Sequence, residues 1–373
     1  MKFVDINSYY TDPKYLSIYR LLYCFFLMFF IGLPSFTWLG SNLDPFFSPP
    51  TWSLSNLFPG FPSKHFFLIL SLINLLAFVS MFLGITKNIA AIVFTVSSII
   101  AHNFWYSFGK IDHLLLWYTL PVFLSYAGWS THFTIFKNSD QAPLDRRAKD
   151  RIAFIMSLLA LFIAFTMFTS GIQKLMGGWW RWDREAVRFQ LINNYFTMQR
   201  HEFFAAYFLH LKSHIVWKFM DYSALILEIG FLFAVFKRSY FQFFLLFGFI
   251  FHLSVLLVFN ISFYANLICY FAFLNFASIS YFYKRSIFSR FGLAYKMRLP
   301  VLITGSILCV FWLFCLWYRQ SVFRLPSVID LERFNDSAFQ DPSPFAATSF
   351  FFTCAVMICL ALAAEILKSA KKF

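Results

Sequence analysis

The sequence predicts an all-α fold: a polytopic transmembrane helix bundle of about ten spans, with interfacial helices on its outer side. Three observations predict it. The 373 residues are 60% hydrophobic and only 13% charged, against about 25% charged in an ordinary soluble domain. Apolar runs of about twenty residues recur along the chain, the length a helix needs to cross the hydrocarbon core. Basic residues gather in the short links between those runs, as they do where loop charge fixes orientation.

The chain begins no apolar run until after Asp5 and Asp12, so the first run reads as a retained helix and not as a cleavable leader. Spans fall near 17–34, 65–84, 88–107, 113–128, 152–176, 216–236, 239–258, 261–281, 300–318 and 345–367. The fourth is short, and little separates the seventh from the eighth. Together they make residues 1–373 a single integral membrane domain. The side bearing both termini takes the larger share of Lys and Arg, including Lys87, Arg146, Arg147, Lys149, Lys237, Arg238, Lys284 and Arg285. Both termini are therefore expected in the cytoplasm.

This arrangement also accounts for the net charge of +14. On a soluble protein it would suggest nucleic acid; here it orients the chain, the expected partner is the lipid bilayer, and no nucleic-acid partner is expected. Cys24, Cys269, Cys309, Cys315, Cys354 and Cys359 all lie in apolar runs, with no CxxC pair. No His/Cys cluster has metal spacing, so no metal is expected.

Three connections on the outer side are long: 35–64, 177–215 and 319–344. The first is rich in Pro and Trp. In the second, Phe196, Phe203, Tyr207 and Leu211 fall near one helical face, with Arg200, His201 and Glu202 between them. Residues 185–212 thus read as one or two helices in the outer interface, or as an ordinary folded loop. Walker A, GxGxxG, HExxH and nucleophile-elbow patterns are absent.

Ionisable residues at membrane depth are costly, roughly 2.5–3.5 kcal/mol each on insertion scales, and so point to function. Lys174 is the sharpest. Ser170 precedes it by one turn, and Gly171 and Gly178 share its face, an arrangement that admits close helix approach. Burial disfavours an ammonium, and a neutral lysine amine is a competent general base. The competing reading is a lysine that snorkels at the outer end of span five. His113, at the outer start of span four, shares that side of the membrane and suits an acid/base partner. His102, beside Asn103, is a second histidine at similar depth.

Asp221 and Glu228 lie seven residues apart on one face of span six. Glu228 is placed to bind a cationic group or to orient Lys174; a structural pairing is the alternative. His252, Asn260 and Asn266 add polar groups toward the outer half, and Arg20 at the cytoplasmic edge of span one snorkels or pairs. The catalytic candidates are thus Lys174 and His113, and the substrate-binding candidates Glu228, His252, His102, Trp179 and Asn266. Their collection in the outer half suggests an outward-facing cavity. No paired broken helices indicate a transporter.

At these residues the sequence resembles the HTTM (horizontally transferred transmembrane) domain of the vitamin K-dependent gamma-glutamyl carboxylase family. Asp12-Pro13 through Leu16 and Arg20 resembles its DPxxLxxxR start, and Leu83-Gly84-Ile85-Thr86-Lys87-Asn88-Ile89 its loop between spans two and three. Asp112-His113 matches the place of the histidine that assists the base there. Ser170-Gly171-Ile172-Gln173-Lys174-Leu175, followed by Trp179, resembles the segment that holds the catalytic lysine. Leu227-Glu228 and Phe251-His252 resemble later helices. The likeness runs over roughly 12–285; the carboxylase-like part is placed at about 12–320, with an extra C-terminal span at 345–367.

The resemblance implies that the lysine takes a proton from a reduced quinone of vitamin K or menaquinol type. With O2 and CO2, the glutamate side chain of a secreted peptide or protein is then carboxylated. It also implies a bacterial inner membrane and an active face turned outward. The sequence departs from the carboxylase in having no counterpart to its large lumenal β-rich domain. Two classes stay open: a quinol-dependent carboxylase- or epoxidase-like lyase, and a non-catalytic binding or peptide-maturation protein of the same superfamily.

Overall fold

The computed structural model describes residues 5–28, 36–41, 47–51, 53–107, 115–135, 144–201, 204–261 and 263–274. His113, the expected spans 300–318 and 345–367, and the ends of spans one and eight lie outside the described residues. Ten α-helices are described: α1 Pro13–Phe26, α2 Lys64–Leu83, α3 Lys87–Tyr106, α4 Leu115–Tyr126, α5 Arg146–Met176, α6 Ala186–Phe196, α7 Ala205–Leu209, α8 His214–Ala234, α9 Arg238–Phe259 and α10 Tyr264–Phe271. The described residues contain no strand.

Four of these stretches are long and apolar enough to cross a membrane: Lys64–Leu83, Asn88–Tyr106, Arg146–Met176 and Arg238–Phe259. They mark the chain as a membrane protein. On α2 the exposed side is itself apolar: Ile69, Leu72, Ile73 and Leu76 stand out while Phe67, Leu70, Asn74, Ala77, Phe78 and Met81 turn inward. Water would not tolerate that outer stripe, but lipid does. The inward Asn74 fastens α2 to α3, its Nδ2 donating to Ser97 Oγ at 2.7 Å and Ser98 Oγ at 2.9 Å. Side-chain amides of this kind act as glue between apolar helices.

Local signals set the helix ends. Pro13 opens α1 and Asp12 accepts from the Lys14 amide. Asp145 Oδ1 accepts from the Ala148 amide at 2.7 Å, so α5 starts at Arg146 instead of at 152, with an exposed first turn and a half before burial begins at Ile152. Gly84 ends α2 with φ 69°. Packing runs α2 on α3, α3 on α4, α4 on α5, α5 on α8, α8 on α9, and α10 on α4. The N-terminal turn is tied to the α8–α9 junction, where the Tyr9 hydroxyl donates to the Val235 carbonyl at 2.9 Å.

One expectation is narrowed and one corrected. Of the two readings of Arg20, snorkelling is excluded: it is fully buried, and its Nη2 donates to the Phe133 carbonyl at 2.6 Å. The stripe from Phe196 to Leu211 is not one helical face. The chain leaves α6 after Phe196, passes Gln199 with φ 52°, and restarts as α7, so Phe196 and Tyr207 stand on separate helices; Phe203 lies outside the described residues. What seats this segment is its inner side. Val187, Leu191 and Ala205 pack with Trp217 near the start of α8 and with Val258 and Phe259 at the end of α9.

Candidate functional site

The site forms where the last turns of α5 meet α8. Gly171 has no side chain to hold the helices apart, so the α5 backbone comes directly against Glu228 and Ile229. One turn further, the Lys174 ammonium reaches across. Its Nζ lies 2.6 Å from Glu228 Oε2, 2.7 Å from Oε1 and 2.8 Å from Ser170 Oγ. The side chain of Glu228 is 5% exposed and that of Lys174 is 23% exposed. Nζ also stands over the Trp179 ring, 5.5 Å from its centroid, in cation–π range. Lys174 is therefore half of a charge-assisted pair with Glu228.

Gly178 does not share the lysine's face. Helix α5 ends at Met176, and Gly178 adopts φ 81° in the turn beyond it. That turn delivers Trp179 and is held from below by α8. Lys218 Nζ donates to the carbonyls of Trp179, Arg181 and Arg184 at 2.9, 2.8 and 2.9 Å and to Asp221 Oδ2 at 2.8 Å. Asp221 in turn accepts from the Val187 amide at 2.9 Å and the Ala186 amide at 3.3 Å, so a residue of α8 caps α6. The N-cap residue of α6, Glu185, makes no such side-chain bond. Asp221 and Glu228 thus share a face of α8 but not a task.

The remaining candidates lie elsewhere in the bundle. His252 on α9 is buried, its Nε2 3.1 Å from the Tyr270 hydroxyl, which itself contacts Met167 Sδ at 3.6 Å. Met167 is one turn before Gly171, so this group sits one turn inward of the lysine pair. His102 sits between α3 and α4: its Nδ1 donates to the Ser98 carbonyl at 2.8 Å, leaving Nε2 to accept from the Tyr118 hydroxyl at 2.9 Å. That geometry fixes its tautomer and anchors it to α4. Asn266 stands half-buried in the first turn of α10. Asn260, buried, closes α9 with φ 51°.

No family model, curated protein or solved structure matches the chain. The side chains alone then carry the functional reading. Among the described residues no group of three or more His, Cys, Asp or Glu could hold a metal ion.

Outside the membrane-spanning helices, a second charged group flanks the site. Glu185 meets Arg188 Nη1 at 2.7 Å and His214 Nδ1 at 2.7 Å, joining α6 to the start of α8. Burial pushes the Glu185 carboxyl up, but the bonds from Arg188 and His214 outweigh it and hold it below the usual glutamate range. Bonding to Arg181 likewise holds Asp183 low. Sequence reading missed Lys218, Tyr270, Glu185 and His214. Lys218 had a signal, an i,i+3 spacing to Asp221 inside an apolar run; Tyr270 had none.

Chemically, the pair offers an ammonium and a carboxylate in direct hydrogen-bond contact. A weakly acidic hydroxyl brought to Nζ can pass its proton to the nitrogen as the ammonium gives one of its own to the carboxylate.

Proposed function

We propose that this protein is a membrane enzyme in which Lys174 and Glu228 together take a proton from a lipid-soluble quinol. The observation that carries the reading is the contact of Lys174 Nζ with both carboxylate oxygens under the Trp179 ring. The pair fits a reduced quinone: the Lys174 nitrogen takes the hydroxyl proton as it hands one of its own to the Glu228 carboxylate, the ammonium thus kept stabilises the quinolate, and the Trp179 ring offers a face to stack against. When bound, a vitamin K- or menaquinol-type quinone supplies the oxygen-dependent chemistry. The chain's own residues bind it, orient its hydroxyl toward Nζ and hold the released proton, relayed through Nζ, at Glu228. On this reading His252 and Tyr270 border the inner side of the site, His102 fastens α3 to α4, and His113 keeps the assisting role that the resemblance implies.

The same proposal places the chain with the HTTM carboxylase-like proteins, as a bundle of about ten spans with α6 and α7 in the outer interface. Both termini are cytoplasmic in a bacterial inner membrane, and CO2 and a secreted peptide are the further reactants. The test is direct. Wild type, Lys174→Ala and Glu228→Gln are purified in lipid nanodiscs and given reduced menaquinone or vitamin K with oxygen, and quinone epoxide is measured. Loss of product in Lys174→Ala, with a marked fall in Glu228→Gln, is expected. Equal product in all three rejects the role. A folded wild type without any turnover would leave the pair as a fastening between α5 and α8, which its bidentate geometry also serves.

A further inference from the structure

Building on the reading of Lys174 as the reactive residue, we propose that Lys218 and Asp221 are positioning residues that fix Trp179 over the Lys174 amine. Neither touches the reacting group. They act through the turn between α5 and α6.

Three features carry this. First, the Lys218 ammonium has three protons and four acceptors within 2.9 Å, three of them backbone carbonyls of one turn and the fourth Asp221. Carbonyls at Trp179, Arg181 and Arg184 can converge on one nitrogen in a single conformation of that turn, so the lysine selects it. Second, both groups are withdrawn from water, with side chains 1% and 0% exposed. A charge so placed is tolerated where every proton and lone pair is used, and here the Asp221 oxygens also take the first amides of α6. The turn is thus pinned at both ends to one helix. Third, the Trp179 carbonyl is bonded by Lys218 while its ring faces Lys174. Fixing the backbone there sets the height of the ring above the amine. The Trp179 amide also bonds the Lys174 carbonyl at 3.2 Å, so the two residues share one rigid segment.

The experiment reads the accessibility of the Lys174 amine and needs no turnover. Intact protein in nanodiscs is reductively methylated with formaldehyde and cyanoborohydride, and the rate at Lys174 is followed by peptide mass spectrometry against exposed Lys212 as internal standard. Trp179→Ala, which removes the roof directly, calibrates the uncovered rate. Lys218→Met and Asp221→Asn are expected to raise Lys174 labelling severalfold toward that rate, and Lys218→Arg, which keeps donors for the carbonyls, to restore most of the protection. Asp221→Asn keeps a carbonyl oxygen for the Val187 amide and so supplies the comparison if Lys218→Met does not fold. Folded variants that label Lys174 at the wild-type rate overturn the proposal. Increased labelling in a protein that shows no quinol turnover keeps the positioning role and rejects the catalytic reading of Lys174, so the two failures are distinguishable.

Discussion

Gly171 of α5 sits face to face with Glu228 of α8: a Cβ on the glycine would lie 3.0 Å from the Glu228 Cβ and 2.8 Å from Ile229 Cγ1. The bond between Lys174 and Glu228 spans a gap that this glycine sets. Gly171→Ala should push the helices apart, cost about 1–3 kcal/mol as small-to-large core changes do, and stretch the ion pair. Thermal unfolding in detergent checks the first effect. An unchanged midpoint would mean the helices can shift at no cost.

The two halves of the pair should not be equivalent. Lys174→Met strands a carboxylate whose side chain is 5% exposed, whereas Glu228→Leu leaves an ammonium that is 23% exposed and close to solvent or headgroups. The first should cost about 2–3 kcal/mol and the second about 1, with much of both recovered in the double variant. A double-mutant cycle by chemical denaturation measures this. Equal single costs that simply add would show that the pair is not coupled.

Gly84 serves two needs at once. Its φ of 69° is the left-handed region, and a Cβ there would lie 2.5 Å from Arg20 Nη1 and 2.7 Å from Thr134 Cγ2. Gly84→Ala should therefore lose about 2 kcal/mol or more, beyond the ~1 kcal/mol of backbone strain alone. The neighbouring Ile85→Ala, at an exposed position, should be close to neutral on the same unfolding assay.

Acid should loosen the junction of α6 with α8. The Glu185 carboxyl is held low by Arg188 and His214 against an opposing effect of burial. A depressed folded value means the stabilisation is complete above the unfolded glutamate value of about 4.3 and is lost as pH falls through the folded value. Melting curves from about pH 6 to about pH 3 should show a decline in the wild type that is shallower in Glu185→Gln. Parallel slopes would remove Glu185 from the account.

Much of the scaffold was legible because lipid imposes a simple rule. α2, α3, α5, α8 and α9 fall where the apolar runs lie, although the start of α5 at the Asp145 cap was not read from them. Segment 185–212 was legible only in part, since its break at Gln199 has no glycine or proline to announce it. Lys174 and Glu228 could each be picked out as costly residues in apolar runs. Their contact was one of several readings of Glu228, and spacing could not select it, because it joins residues 54 positions apart and depends on how far α8 overlaps the end of α5. Gly178 misled for a related reason. Counting helical turns from Lys174 assumes that α5 continues, and it stops at Met176.

The capping of α6 by Asp221 carries a consequence for biosynthesis. Val187 leaves the ribosome 34 residues before the carboxylate that receives its amide, and Lys174 leaves it 54 residues before Glu228. Helix α5 must therefore enter the bilayer with its lysine still lacking that carboxylate, and the turn after it stays unfastened until α8 follows. A nascent chain arrested between the two would hold the helix but not the site, so this centre forms only once α8 has followed α5.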